Sequence, residues 1–248
     1  MNNIFDTNNS ILLKYVDSRN QDIWDYLTER WTFLVSSNTE DNWGVYCNNN
    51  IATFYIPEKG GSCEDFMHEL LHVYIRDKGC LVGSSLDNTI RQSVLMSKIF
   101  SPNLLDQIDN VLAHEKMFPI FTERGYEKKK FVVDFEIPKF NNEKLAKAKI
   151  AKKNPRKYII DFADGFIGSL FSMFFDCNID LNYEHYYRDF KNLDRSLFAI
   201  VEKSVYEWDD IELSGGQDIY LQCVSWAASF YESLKPWITT NRIYLSDH

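Results

Sequence analysis

The chain has 248 residues, 45% of them hydrophobic and 15% aromatic, with a formal net charge of −9. That length can bury a substantial core without staples, and that composition excludes an intrinsically disordered chain. The acidic balance argues against nucleic acid as the main partner, because phosphate binding needs a basic surface, and ten Gly with six Pro disfavour a turn-rich sandwich or barrel.

In chain order, residues 20–35 carry apolar positions at Ile23, Trp24, Leu27, Trp31 and Leu34, a helical spacing. Two strand-like runs follow at 43–47 and 51–56, joined by an Asn-rich turn. Pro57 and Gly60-Gly61 break the chain before a helix that Ser62 can cap, with Glu64 and Asp65 suiting its first turn. Gly79 is a natural stop for that helix. A third helix is predicted over residues 86–100, and a fourth opens at Ser101-Pro102 and ends near Phe118, before Pro119. Between 127 and 158 the character changes: KKK at 128–130 and KLAKAKIAKKNPRK at 144–157 form a positive block that reads as a connector or lid. Helical patterns then cover 158–175, 183–203 with an extension to Trp208, and 218–234.

Residues 68–72 read His-Glu-Leu-Leu-His. Positions i and i+4 lie one turn apart on one helix face, so two imidazoles can grip one ion. The intervening Glu69 projects about 100° around the helix, beside such an ion and not onto it. It is placed to deprotonate a zinc-bound water as the catalytic base. The plainer alternative is an unremarkable His pair with a solvated Glu. The run YIPEKGGSCEDFMHELLHVYI resembles the strand, loop and active-site helix of zincin-type (HExxH) zinc metallopeptidases, over about residues 50–79 and more weakly to 126. The resemblance implies hydrolysis of peptide bonds in a protein or peptide substrate, with Zn2+ as cofactor. It also implies an edge strand, here Thr53–Ile56, that would receive substrate as an added strand.

A catalytic zinc keeps three protein ligands, so one more is needed. The extended motif would require Gly at 75 and His at 78, where Ile75 and Lys78 stand, and no inverted HxxEH is present. The Asn-Glu pair at 142–143 resembles a third-ligand segment of one zincin branch but sits in lysine-rich sequence. The helix at 103–118 offers His114 and Glu115. Glu115 points within about 30° of the centre of the apolar face, where a carboxylate is costly unless paired or metal-bound. His114 lies on a polar stripe with Gln107 and Asn110. The spacing Asn110, His114, Pro119, Gly125-Tyr126 resembles a recurrent segment of uncharacterised bacterial HExxH proteins, which implies His114 as the ligand. Both candidates stay open, His114 first.

Other features are weaker. A Tyr, His or Arg near His185 could serve an oxyanion, against the simpler reading of Tyr183, Tyr186 and Tyr187 as core with Arg188 solvated. Cys63, five residues before His68, could approach the metal as a thiolate. The five cysteines (47, 63, 80, 177 and 223) lack a CxxC pair and read as free thiols of a cytoplasmic protein. The N-terminal residues lack a secretory pattern, and the longest apolar run, Gly165–Phe175, is too short to span a bilayer. The expectation is an α+β, predominantly helical protein: a zincin-like core at 1–126 with a short sheet before the active-site helix, a basic connector at 127–157, and a helical lobe at 158–248. A non-catalytic zinc-containing binding or regulatory module is the alternative, and the oligomeric state is left open.

Overall fold

A computed structural model describes residues 10–39, 41–153, 155–213 and 218–241. It is predominantly helical, with one three-stranded sheet among the described residues. The chain forms two compact units: Met1–Gly79 with Lys116–Phe135, and Cys80–Glu115 with Glu136–His248.

In the first unit, α1 (Gln21–Thr28) leads into β1 (Thr32–Asn38), β2 (Gly44–Asn48), β3 (Ile51–Pro57) and α2 (Cys63–Asp77). The helical reading of 20–35 fails after Thr28. Trp31 and Leu34 keep a helical spacing, but Thr32, Phe33 and Val35 are strand-favouring residues, and pairing with β3 decides the outcome. β1 runs parallel to β3, with Val35 opposite Phe54, and β2 runs antiparallel to it, with Val45 also opposite Phe54. The order β1-β3-β2 makes β3 the central strand. Thr53–Tyr55 is therefore paired on both sides and Ile56 with β1, so this stretch is not a free edge; β1 and β2 are the edges among the described residues. The turn between β2 and β3 is Asn49-Asn50, both left-handed at φ 46° and 59°. That is the backbone of the two-residue hairpin turn whose twist matches its strands, and Asn tolerates it best after Gly.

Alternation along β3 buries Ala52, Phe54 and Ile56, and α2 packs Phe66 against this layer. Phe66 meets Phe54 at 5.8 Å and Trp24 at 5.8 Å, while Phe33 meets Trp24 at 5.0 Å. Polar ties fix the ends of α2. Asp77 accepts from the Tyr26 hydroxyl at 2.7 Å and from the Trp31 indole at 2.8 Å.

In the second unit, α3 (Val82–Arg91), α4 (Val94–Ile99) and the first part of α5 (Pro102–Glu123) precede α6 (Asn142–Lys153), α7 (Pro155–Phe174), α8 (Glu184–Leu193), α9 (Arg195–Asp209) and α10 (Ile219–Thr240). The helix expected over 86–100 is two, because Ser93 restarts the chain by capping α4 through the Met96 N–H. α5 does not stop at Pro119. It runs on to Glu123 with the proline inside it, which forfeits one backbone hydrogen bond to residue 115. The lysine-rich stretch is helical, anchored in α6 by buried Leu145. The expected helix at 183–208 divides at Asp194, whose φ of −153° ends α8 and whose carboxylate caps α9. Phenylalanines 162, 166, 171, 190 and 198, with Trp208, fill the core of this unit. No disulfide joins any of the five cysteines. No helix among the described residues is long and apolar enough to cross a membrane.

Candidate metal centre

Local chemistry sets α2 in place. The Ser62 hydroxyl accepts from the Asp65 N–H at 3.2 Å, and the Asp65 carboxylate accepts from the Ser62 N–H at 2.8 Å, a reciprocal cap. At the other end Gly79, at φ 94°, adopts the left-handed geometry that terminates helices. Between these stops the helix buries Phe66, Met67, Leu70, Leu71, Val73 and Ile75, together with Glu69.

His68 and His72 stand one turn apart with their Nε2 atoms 3.2 Å from each other. Two nitrogens bound to one tetrahedral ion at ordinary zinc distances stand about 3.3 Å apart, so the pair is already spaced for a shared ion. Burial lowers both imidazoles. His68 falls to about 4, with the Phe131 backbone opposing the shift, and His72 falls to about 3, with His68 adding to it. Both rings are therefore neutral at pH 7, as metal ligands must be.

The third histidine comes from α5, a single helix from Pro102 to Glu123. One ring nitrogen from each of His68, His72 and His114 lies within 4.8 Å of the others, and this group could hold a metal ion. Three imidazoles suit zinc among other first-row ions and would leave a further coordination position for solvent or substrate. The donor chemistry and the Nε2 spacing both fit. Glu115, the other candidate, is not part of this group among the described residues. Its charge instead acts on Cys177, whose thiol burial pushes up to about 12, with Asp176 and Glu115 adding to the shift.

Glu69 is only 8% exposed although it is a carboxylate. Burial pushes its carboxyl up to about 8; the charge of Asp65 adds to this, and the Val45 backbone in β2 opposes it. The weaker candidates have other places. Cys63 is the first residue of α2, outside the histidine group, with its thiol pushed up by burial and then by Asp17 and Glu64. The Tyr183 hydroxyl donates to Asp176 at 2.6 Å and accepts from the Lys139 N–H at 2.9 Å, while Tyr187 stacks on Phe174.

Comparison with protein-family models, with curated proteins and with solved structures finds no match for this chain. The functional reading rests on the site's own chemistry.

Sequence reasoning missed one neighbour of the site, Phe131. Its ring centroid lies 4.8 Å from that of His68. The residue follows the exposed Lys128–Lys130 turn, and no local pattern announces the contact.

Proposed function

We propose that this chain is a zinc-dependent peptide hydrolase with a zincin-like core, in which His68, His72 and His114 hold the metal and Glu69 is the catalytic base. The observation that carries the reading is the convergence of three imidazole nitrogens within 4.8 Å on a helix turn that also bears a buried glutamate. When bound, zinc polarises the scissile carbonyl and acidifies water toward a pKa of about 7. Burial, with the charge of Asp65, pushes the Glu69 carboxyl up to about 8. The positive charge of a bound ion would favour its ionised form, in which it would accept a proton and deliver it to the leaving amine. The packed, capped helix holds the Glu69 side chain in one register relative to the two α2 histidines, so the base needs no rearrangement to act.

The test pairs metal content with turnover. Elemental mass spectrometry of the purified protein is expected to find near-stoichiometric zinc, lost in His72→Ala and His114→Ala and kept in Glu115→Ala. Glu69→Gln is expected to keep the metal and the fold but to cleave a quenched-fluorescence peptide library at least about 10²-fold more slowly. A wild-type protein that takes up no zinc even when it is supplied overturns the metal centre. Stoichiometric zinc with cleavage unchanged by Glu69→Gln overturns the mechanism. Zinc with no cleavage of any peptide or protein points to the non-catalytic module.

A further inference from the structure

The segment after α5 adds something to the centre that the ligand residues do not explain. Gly125, at φ 82°, turns the chain back, and Tyr126 anchors it. The Tyr126 hydroxyl accepts from the Asn20 amide at 2.9 Å and donates to Asp17 at 3.4 Å, and the Arg19 guanidinium lies 3.8 Å from its ring centre. The three lysines at 128–130 then face solvent, and Phe131 turns inward to 2% exposure. Phe131 is shared between the two ligand-bearing helices. On one side it packs against His68 of α2 at 4.8 Å, tilted by 56°. On the other it meets Phe118 and Phe121 of α5, each at 5.2 Å and near edge-on. Phe118 stands four residues after His114, one turn along the same face of that helix. Phe135 closes the cluster against Phe118 at 6.2 Å.

We propose that Phe131 is a positioning residue for the metal centre: its ring braces the His68 imidazole and ties α2 to the Phe118–Phe121 turn of α5. The inference rests on the metal-binding reading of the three histidines. A ligand ring with a rigid neighbour keeps its orientation when the ion leaves, so binding spends little on ordering it. Phe131 also meets His68 through its backbone, which opposes the fall of the imidazole's pKa, so substituting its side chain removes the aromatic face and leaves the main chain in place.

Cobalt(II) serves as the probe, because its visible absorption reports coordination geometry without any turnover. Wild-type protein, Phe131→Ala and Phe131→Leu are titrated with cobalt, and zinc affinity is measured by competition with a chromophoric chelator. Phe131→Leu keeps most of the packed volume and the folded state while removing the flat ring, so it decides the matter where Phe131→Ala fails to fold. The expected result is a 10- to 100-fold loss of affinity in Phe131→Ala, on the order of what supporting residues around metal sites are worth. Phe131→Leu should lie between, and both should show a shifted cobalt band at saturation. Loss of global stability alone lowers the amplitude without moving the band. Wild-type binding with unchanged affinity and an unchanged band in the folded variants overturns the role of Phe131 alone. A wild-type protein that binds neither cobalt nor zinc overturns this inference and the metal centre together.

Discussion

Asp194 offers the sharpest test of the physical account. The residue is 8% exposed, and its two carboxylate oxygens serve four donors from three helices. One oxygen accepts from the Leu197 N–H at 3.0 Å and the Ser196 hydroxyl at 2.8 Å; the other accepts from Lys152 at 2.7 Å and the Trp237 indole at 3.0 Å. Asp194→Ala removes the cap of α9, worth about 1 kcal/mol. It leaves the buried Trp237 N–H without an acceptor, at a cost of about 1–3 kcal/mol. Lys152, 30% exposed at its side chain, can reach water, so losing its partner adds about 1 kcal/mol. The expected total is about 4 kcal/mol, or roughly a 10 °C fall in Tm for a chain of this size. Asp194→Asn, which still caps, should lose about half of that. The pH dependence has a definite sign. Burial pushes the Asp194 carboxyl up, but Lys152, the Leu197 N–H, Trp237 and Ser196 outweigh it, so the folded value lies below the ordinary 3.8. The stabilisation is therefore complete well above that ordinary value and drains away as the pH falls below it. Urea unfolding at pH 7 and at steps down to pH 3, followed by circular dichroism, measures both effects. A difference under about 1 kcal/mol at pH 7, or one that does not shrink in acid, refutes the reasoning.

The remaining predictions concern the first unit. Tyr126→Phe should cost about 1–2 kcal/mol, because the Nδ2 group of buried Asn20 then keeps only its bond to the Tyr15 carbonyl, while its Oδ1 still accepts from the Asp17 N–H; chemical denaturation reads this directly. Asn50→Gly should raise the unfolding free energy by a few tenths of a kcal/mol, since glycine relieves the φ of 59° at the second turn position. A destabilised Asn50→Gly protein would mean that the Asn50 side chain contributes more than its backbone geometry.

The parts of the fold that were legible in the sequence are those governed by local chemistry. Ser62, Asp65 and Gly79 bound α2 within a residue or two of where capping and left-handed geometry place them. The Asn pair marks the β2–β3 turn for the same reason. Failures came where a distant partner overrides a local period. Trp31 and Leu34 extend a helical pattern, yet β1 exists because β3, nearly twenty residues on, supplies its hydrogen bonds. Asp194 interrupts an apolar rhythm that continues on both sides of it, so the pattern hides the break that the cap makes. Pro119 looks locally like a stop, although a helix held by buried Met117 and Phe121 can absorb one missing hydrogen bond. At the histidine cluster the helical spacing of His68 and His72 is written in five residues. Which of His114 and Glu115 joins them depends on the rotation of α5, which packing sets and sequence shows only through its apolar face.

The first unit is interrupted: residues 80–115 are made between its two segments. A ribosome therefore releases α2, with both of its histidines, well before Phe118, Tyr126 and Phe131 exist. Until then Phe66 already has its ring partners Tyr15, Trp24, Trp43 and Phe54, but His68 lacks Phe131. A fragment ending at Gly79 would carry the whole HELLH sequence and still lack Phe131, while one ending at Phe135 would strand residues 80–115, with His114, away from the 136–248 segment they cluster with, so truncation and domain grafting have to respect both interleaved units.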